Sequence, residues 1–176
     1  MLNDPGHGQL EHAVTSEDRC LAANGTEAYA GQRERRLSLR LLNYWRHLRG
    51  VREFATYREI DFGVIPEIAP HLFILDVSNP RAGVPVMYVG EEMTRTSVPG
   101  AQPSTIADVR PDTLLGRSSY YYEQVVRRRC PITIGGEFVN PDGAVSMFRS
   151  VMAPLSDDGL MIDAVLGVGS CKVKGQ

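Results

Sequence analysis

Few side chains in this 176-residue chain could do chemistry, and most of them lie in its last third. Ser146, Phe148, Ser150 and Met152 alternate along a run suited to a strand, so all four project to one face, two hydroxyls on an apolar ground. Such a face orients a small organic molecule; equally, each hydroxyl is satisfied by a backbone group or a buried water. Cys130 follows Arg127–Arg129 and precedes Pro131, where a helix C-terminus raises a thiol pKa and makes a poor nucleophile. His71 opens an apolar run and reads as a core or boundary residue, while Asp157 and Asp158 belong to a turn that uses Asp for its backbone. No phosphate-binding loop, dinucleotide fingerprint or metal-spaced His/Cys cluster is present, so neither a metal site nor an enzyme is expected.

Three strand runs carry these residues: Ile132–Val139, Ala144–Pro154 and Leu160–Val168. Between them stand Asn140-Pro141-Asp142-Gly143 and Ser156-Asp157-Asp158-Gly159, each suited to a type I turn closed by glycine at positive φ. That geometry pairs Asn140 with Ala144 and Ser156 with Leu160. It gathers Ile132, Ile134, Phe138, Ser146, Phe148, Ser150, Met152, Ile162, Ala164 and Leu166 on one face, the expected core face. Glu137, Val139, Val145, Met147, Arg149, Val151, Met161, Asp163 and Val165 fall on the other. This second face holds every charge of the meander but is too apolar to lie bare, so a helix of this chain or a second subunit should cover it.

The totals set bounds. The length suits one domain, and a net charge of −2 without a basic, aromatic-studded face gives no reason to expect nucleic acid. Three cysteines without ligand spacing, no signal peptide and no apolar run of membrane length point to a reduced, cytoplasmic setting away from membranes.

Earlier elements read as follows. Residues 1–33 lack periodicity and are expected to be a mobile tail, with the domain over 34–176; His7 and His12 are too isolated to hold a metal. From Glu34 to Arg49, Leu37, Leu41, Trp45 and Leu48 recur at spacings of four, four and three, an amphipathic helix stopped by Gly50. Its arginines form a solvated face, and its apolar stripe is a candidate cover for the sheet or an interface. His71–Val77 and Val84–Val89 predict a hairpin, with Pro85 favouring an edge. Short helices are expected at Glu91–Thr96 and Ile106–Val109. A longer one is expected over Arg117–Arg129, capped by Ser118 or Ser119 and facing the sheet with Tyr121 and Tyr122. The fold class is α+β, a five-stranded antiparallel sheet with helices on one face and an N-terminal amphipathic helix.

That order of elements resembles the PAS family, and in particular a single-domain PAS subfamily of alphaproteobacteria. The resemblance rests on Leu42-Asn43-Tyr44-Trp45-Arg46-His47-Leu48-Arg49-Gly50, on Ile60-Asp61 through Ile65-Pro66 leading to Pro70–Val77, and on Pro154-Leu155-Ser156-Asp157-Asp158-Gly159. After the second strand, Tyr88-Val89-Gly90 replaces the subfamily's Arg-Leu-Ala-Gly run. The resemblance implies a signalling module acting through protein–protein contacts, with partners such as sensor histidine kinases; the apolar second face and the Leu37–Leu48 helix suit a homodimer or a partner interface. PAS relatives hold flavin through an Asn-Cys-Arg helix or haem through a helix histidine. Gly90–Gly116 and Arg117–Arg129 contain neither Cys nor His, so flavin and haem are disfavoured and no cofactor is expected.

Three readings follow. The first is a contact module using Leu37, Leu41, Trp45, Leu48, Glu137, Arg149 and Asp163. The second is a sensor of a small organic ligand held by Tyr121, Tyr122, Phe148, Ser146, Ser150 and Met152. The third, an enzyme, requires an acid or base inside the fold, which the core face of the meander does not supply.

Overall fold

The computed structural model describes residues 36–95 and 102–175; the expected tail over 1–33 lies outside them. Five antiparallel strands form one sheet in the order β2-β1-β5-β4-β3, with β1 Leu72–Asp76, β2 Val86–Val89, β3 Ile132–Val139, β4 Val145–Leu155 and β5 Ala164–Val173. Between β2 and β3 come α2 Glu91–Thr94, α3 Leu114–Ser119 and α4 Tyr122–Arg128. The helix α1, Leu37–Arg49, precedes the sheet, and Gly50 ends it by donating its N–H to the Arg46 carbonyl. The fold is α+β and PAS-like, as expected.

Directly paired residues share a face, so the ladder sorts the side chains into rows. Phe73, Gly167, Met152 and Ile132 form one row, and Gly169, Ser150 and Ile134 the next. Cys171, Phe148 and Gly136 follow, then Val173, Ser146 and Phe138. This inner face looks toward α3 and α4, because a Cβ on Gly169 would meet the Ser118 side chain of α3. On the outer face, Ile74, Leu166 and Ala153 form a row, as do Leu72, Val168 and Val151. These six are at most 1 % exposed, and α1 lies over the β4 and β5 members of both rows. The Trp45 indole donates to the Pro154 carbonyl at 2.8 Å, fixing the helix on the strand it covers.

The Asn140 turn forms as its residues predict. Asn140 and Ala144 pair through N140–O144 at 2.9 Å, Gly143 takes φ +81°, and the Asn140 side chain accepts the N–H groups of Asp142 and Ala144. The second turn does not. Gly159 has the expected positive φ, but Leu155 pairs with Ala164, not Ser156 with Leu160. Side chains win over the ladder here. Asp158 accepts the N–H groups of Leu160 and Met161 at 2.7 and 2.8 Å, and Ser156 accepts Gly159 N–H while donating to the Met161 carbonyl. Leu160 and Met161 are thereby held out of the strand, and both stay exposed.

The shift is by an odd number of residues, so it inverts β5. Val165 and Gly167 join the inner face, and Ala164 and Leu166 face α1, the reverse of the expected assignment.

The predicted helix over Arg117–Arg129 is also corrected. It begins earlier, where Thr113 accepts the Gly116 N–H at 3.1 Å, and it breaks at Tyr120–Tyr121 into α3 and α4. Ser118 and Ser119 are buried inside α3 and cap nothing; the Ser119 hydroxyl donates back to the Leu115 carbonyl. Pro85 does lie at the edge strand, and that edge is covered: Val86 N–H reaches the Ser104 carbonyl and Ile106 N–H the Val84 carbonyl.

Candidate functional site

The sheet's inner face is closed most tightly at the two glycines of β5, Gly167 and Gly169. A Cβ at Gly167 would stand 2.1 Å from Cζ of Phe73, so the Phe73 ring lies flat on that backbone. A Cβ at Gly169 would stand 2.4 Å from Ser118 Oγ and 2.9 Å from Met93 Cε. At this level the interior is filled by Phe73, Met93, Leu115 and Met152, all fully buried.

Two polar side-chain atoms of α3 lack partners. Ser118 is completely buried and its hydroxyl makes no hydrogen bond, while the neighbouring Arg117 has a buried Nε with none either. A buried unpaired hydroxyl costs roughly 1–3 kcal/mol, and such groups are normally satisfied by water or a ligand. The Arg117 guanidinium lies 5.9 Å from the Phe138 ring, which meets Phe148 edge-on with centroids 5.8 Å apart. Phe148 is half-buried and pairs with Cys171, which is exposed. Burial pushes the Cys171 thiol up, partly offset by the Arg95 cation. The inner face thus grades from a filled end at Gly167 to an aromatic pair, buried Phe138 and half-buried Phe148, with one guanidinium beside it. A guanidinium and an unpaired hydroxyl beside two aromatic rings are groups suited by their chemistry to a flat apolar body bearing an anionic or carbonyl group.

The predicted ligand residues divide. Ser146, Phe148, Ser150 and Met152 share the inner face, as read from their alternation. Ser150 is fully buried, and its hydroxyl donates to the Ser118 carbonyl at 3.3 Å, tying the sheet to α3 just before the helix breaks. Met152 is core. Tyr121 stands at the break, edge-on to Tyr120 at 4.9 Å. The Tyr122 hydroxyl donates to the exposed Glu123 carboxylate at 3.3 Å, so its polar end is turned out of the interior. Burial is the main reason that phenol is harder to ionise.

The predicted contact residues divide too. Leu41 and Trp45 are 0 % and 4 % exposed, packed on the protein's own sheet, and are not presented to a partner; Leu37 and Leu48 pack against the same core. Covering by α1 was one of the two alternatives, and it holds for half of the outer face. The other half is bare: Val139, Val145 and Met147 are 54 %, 40 % and 48 % exposed. Glu137 and Arg149 lie on it, Glu137 bonded to Lys174 at 2.8 Å. Asp163 does not join them. It precedes β5 at the far end of the sheet, and its carboxylate accepts the Asp157 N–H at 2.7 Å inside the loop.

From the sequence, Arg117 and Ser118 are expected only as helix start and candidate cap, and Gly167 and Gly169 are given no role. The legible signal was Gly167-Val168-Gly169, two glycines on one face of a strand, which marks a close approach from above. Arg129 was read only as a helix-end charge, yet it sits at φ +56° and holds four partners. Its guanidinium donates to the carbonyls of Leu160 and Gly159, stacks 4.7 Å from the Phe54 ring and lies 3.6 Å from Glu53. Among the described residues no cluster of His, Cys, Asp and Glu could hold a metal, and no helix is long and apolar enough to cross a membrane.

No family profile matches the chain, and no characterised protein matches it in sequence. Its backbone is similar to solved light-oxygen-voltage (LOV) domains. One is that of a blue-light activated histidine kinase of Erythrobacter litoralis, at 18% identity over 59% of this chain and 96% of that one, TM-score 0.42. Another is a LOV domain studied with a flavin analogue, at 14% identity over 65% and 87%, TM-score 0.46. A third is an RNA-binding LOV receptor, at 12% identity over 65% and 35%, TM-score 0.44. These neighbours correct one expectation. The missing Cys and His in Gly90–Gly116 and Arg117–Arg129 were taken to disfavour flavin and leave the domain without a cofactor, and with a flavin-associated LOV domain among its neighbours that exclusion does not stand.

Proposed function

We propose that this chain is a sensory signalling module whose input is a small organic molecule held between the inner sheet face and α3. The observation that carries the reading is the Ser118 hydroxyl, fully buried, without a partner and set against Gly169. A hydroxyl desolvated without compensation is stable only where something regularly satisfies it. Half-buried Arg117 and the Phe138–Phe148 pair define the chemistry admitted, an aromatic or otherwise flat molecule with an acceptor group. Met93 and the Ser118 side chain have to shift to admit it, since both now fill the space above Gly169.

The output is a protein–protein contact through the bare half of the outer face. A row of exposed Val139, Val145 and Met147 on regular strands supports this, and signalling proteins such as histidine kinases are the proposed partners. The module itself is assigned no catalytic step.

A thermal-shift series on the full chain tests the input. Flavin mononucleotide and small aromatic carboxylates are the probes. At least one should raise the melting temperature in the natural protein, and Arg117→Ala and Ser118→Ala should blunt that rise. No stabilisation by any probe, or equal stabilisation of both variants, would count against the site.

A further inference from the structure

The two edges of the sheet are finished differently. The β2 edge is short, follows Pro85 and is covered by a neighbouring segment, with Val86 N–H on the Ser104 carbonyl and Ile106 N–H on the Val84 carbonyl. The β3 edge has none of these guards. Ile132–Val139 runs in unbroken register with β4 and contains no proline, lysine or bulge. Its one charge is Glu137, whose carboxylate accepts from Lys174 of the same chain at 2.8 Å.

The ladder fixes which backbone groups of β3 point outward. The Lys174 N–H bonds the Val145 carbonyl, so Val145 turns its polar groups toward β5 and its partner Val139 turns its own away from β4. Antiparallel pairs alternate in this respect. Ile132, Ile134, Gly136 and Phe138 therefore bond to β4, while Thr133, Gly135, Glu137 and Val139 direct N–H and C=O to the open side. Among the described residues none bonds to them there.

This open set is symmetric. Pro131 has no N–H and Asn140 belongs to the turn, so the outward donors run from Thr133 to Val139 with Gly136 at their midpoint. A second copy laid antiparallel, with the two-fold axis at Gly136, sets Thr133 opposite the second copy's Val139 and Gly135 opposite its Glu137. Every outward donor then meets an acceptor. Glycine at 135 and 136 leaves no side chain at the axis to hold the strands apart, and the exposed, β-branched Thr133 and Val139 become cross-strand neighbours. Each Glu137 brings its own Lys174, so no net charge gathers at the axis. An unrelated extended peptide gains nothing from this symmetry.

We infer that β3 is a self-pairing edge, through which two copies of this chain join their sheets into one. This goes beyond the function proposed above, since it needs neither a ligand nor a signalling partner. It also sets the bare Val139, Val145 and Met147 of both copies on one continuous surface. Amide hydrogen exchange on the full chain, resolved by NMR, tests it. In concentrated solution the amides of Thr133, Gly135, Glu137 and Val139 should exchange slowly. On dilution they should speed up by about tenfold or more, while Ile134, Gly136 and Phe138, bonded to β4, stay slow. Sedimentation should show the matching monomer–dimer equilibrium. Glu137→Pro removes an outward N–H and no bond to β4, and should shift that equilibrium to monomer; Glu137→Ala keeps the N–H and should keep the dimer. Fast exchange of the outward amides at every concentration overturns the inference. So does protection that dilution leaves unchanged, the mark of a cover from the same chain, and so does a dimer that survives in folded Glu137→Pro. The exchange pattern of the natural protein needs no variant, so it decides even where the proline disturbs folding.

Discussion

The Ser118 hydroxyl faces Gly169 across the contact between helix and sheet, so closely that a carbon added at position 169 would stand 2.4 Å from it. Ser118 needs a small neighbour, and Gly169 is bare on the side that faces it. The pair is the point where a filled interior meets an unsatisfied polar atom. Ser118→Ala removes the buried orphan and nothing bonded to it. Ligand-free protein is expected to unfold in urea at equal or greater stability, with a gain of up to about 1 kcal/mol from the relieved desolvation cost. A loss of that size would mean that the hydroxyl has a partner in solution, and the site would lose its basis.

Gly167 and Gly169 differ in what lies above them, and their alanine variants should differ accordingly. At 167 three atoms of the buried Phe73 ring would lie within 2.6 Å of the new carbon, and a ring cannot fold away. At 169 the neighbours are a hydroxyl and the end of a methionine, which can rotate. Gly167→Ala should cost about 1–3 kcal/mol or more and Gly169→Ala distinctly less. Adding Phe73→Leu to Gly167→Ala should recover part of the loss, a coupling that a double-mutant cycle measures directly.

The contrast between the two turns shows what the sequence could and could not tell. Asn140–Gly143 was legible because all its determinants are local: one Asn side chain, one Pro and one Gly in left-handed conformation. Ser156–Gly159 has the same outline, but Asp158 and Ser156 bind the backbone of Leu160 and Met161 and lengthen the loop. An odd-numbered slip then turned β5 over, which hid Gly167 and Gly169 from the inner-face reading. The four alternating residues of β4 were placed correctly because β4 is anchored by the first turn. Arg117 and Ser118 were missed for a different reason: the break at Tyr120–Tyr121 has no Pro or Gly to announce it.

Arg129 combines an unfavourable backbone with a favourable side chain. Its φ of +56° suits glycine, while its guanidinium ties the end of α4 to the Gly159–Leu160 backbone and to Phe54. Arg129→Ala loses the ties and keeps the backbone cost; Arg129→Gly loses the ties but sheds that cost. Chemical denaturation should rank natural protein first, the Gly variant second and the Ala variant third, with about 1 kcal/mol between the last two. Equal stability of all three would show that the clasp contributes nothing.

Asp163 is held above its ordinary carboxylate range, first by burial and then by the charges of Asp157 and Asp158, against the N–H bond from Asp157 that lowers it. Its ionised form therefore weighs against the fold at neutral pH. Asp163→Asn keeps an acceptor for the Asp157 N–H and removes the charge. The variant should melt higher than the natural protein at pH 7. Its advantage should shrink as pH falls through the raised pKa and vanish below the unfolded value of about 3.9. Comparing the two proteins at each pH cancels the opposite contribution of Asp158, whose carboxyl is lowered by the Met161 and Leu160 N–H groups. An advantage that grew on acidification would contradict this assignment.

The central claim is that a small molecule reaches the space between Ser118 and Gly169, and native mass spectrometry of the full chain addresses it most directly. The protein should be purified without denaturation and measured beside Gly169→Ala, whose added carbon takes the space beneath the Ser118 hydroxyl. The natural protein should show a discrete added mass that denaturation releases, and the variant should show little or none. A natural protein that flies at its bare mass and binds no flavin or aromatic carboxylate on addition, or a variant that carries the same adduct, would contradict the account.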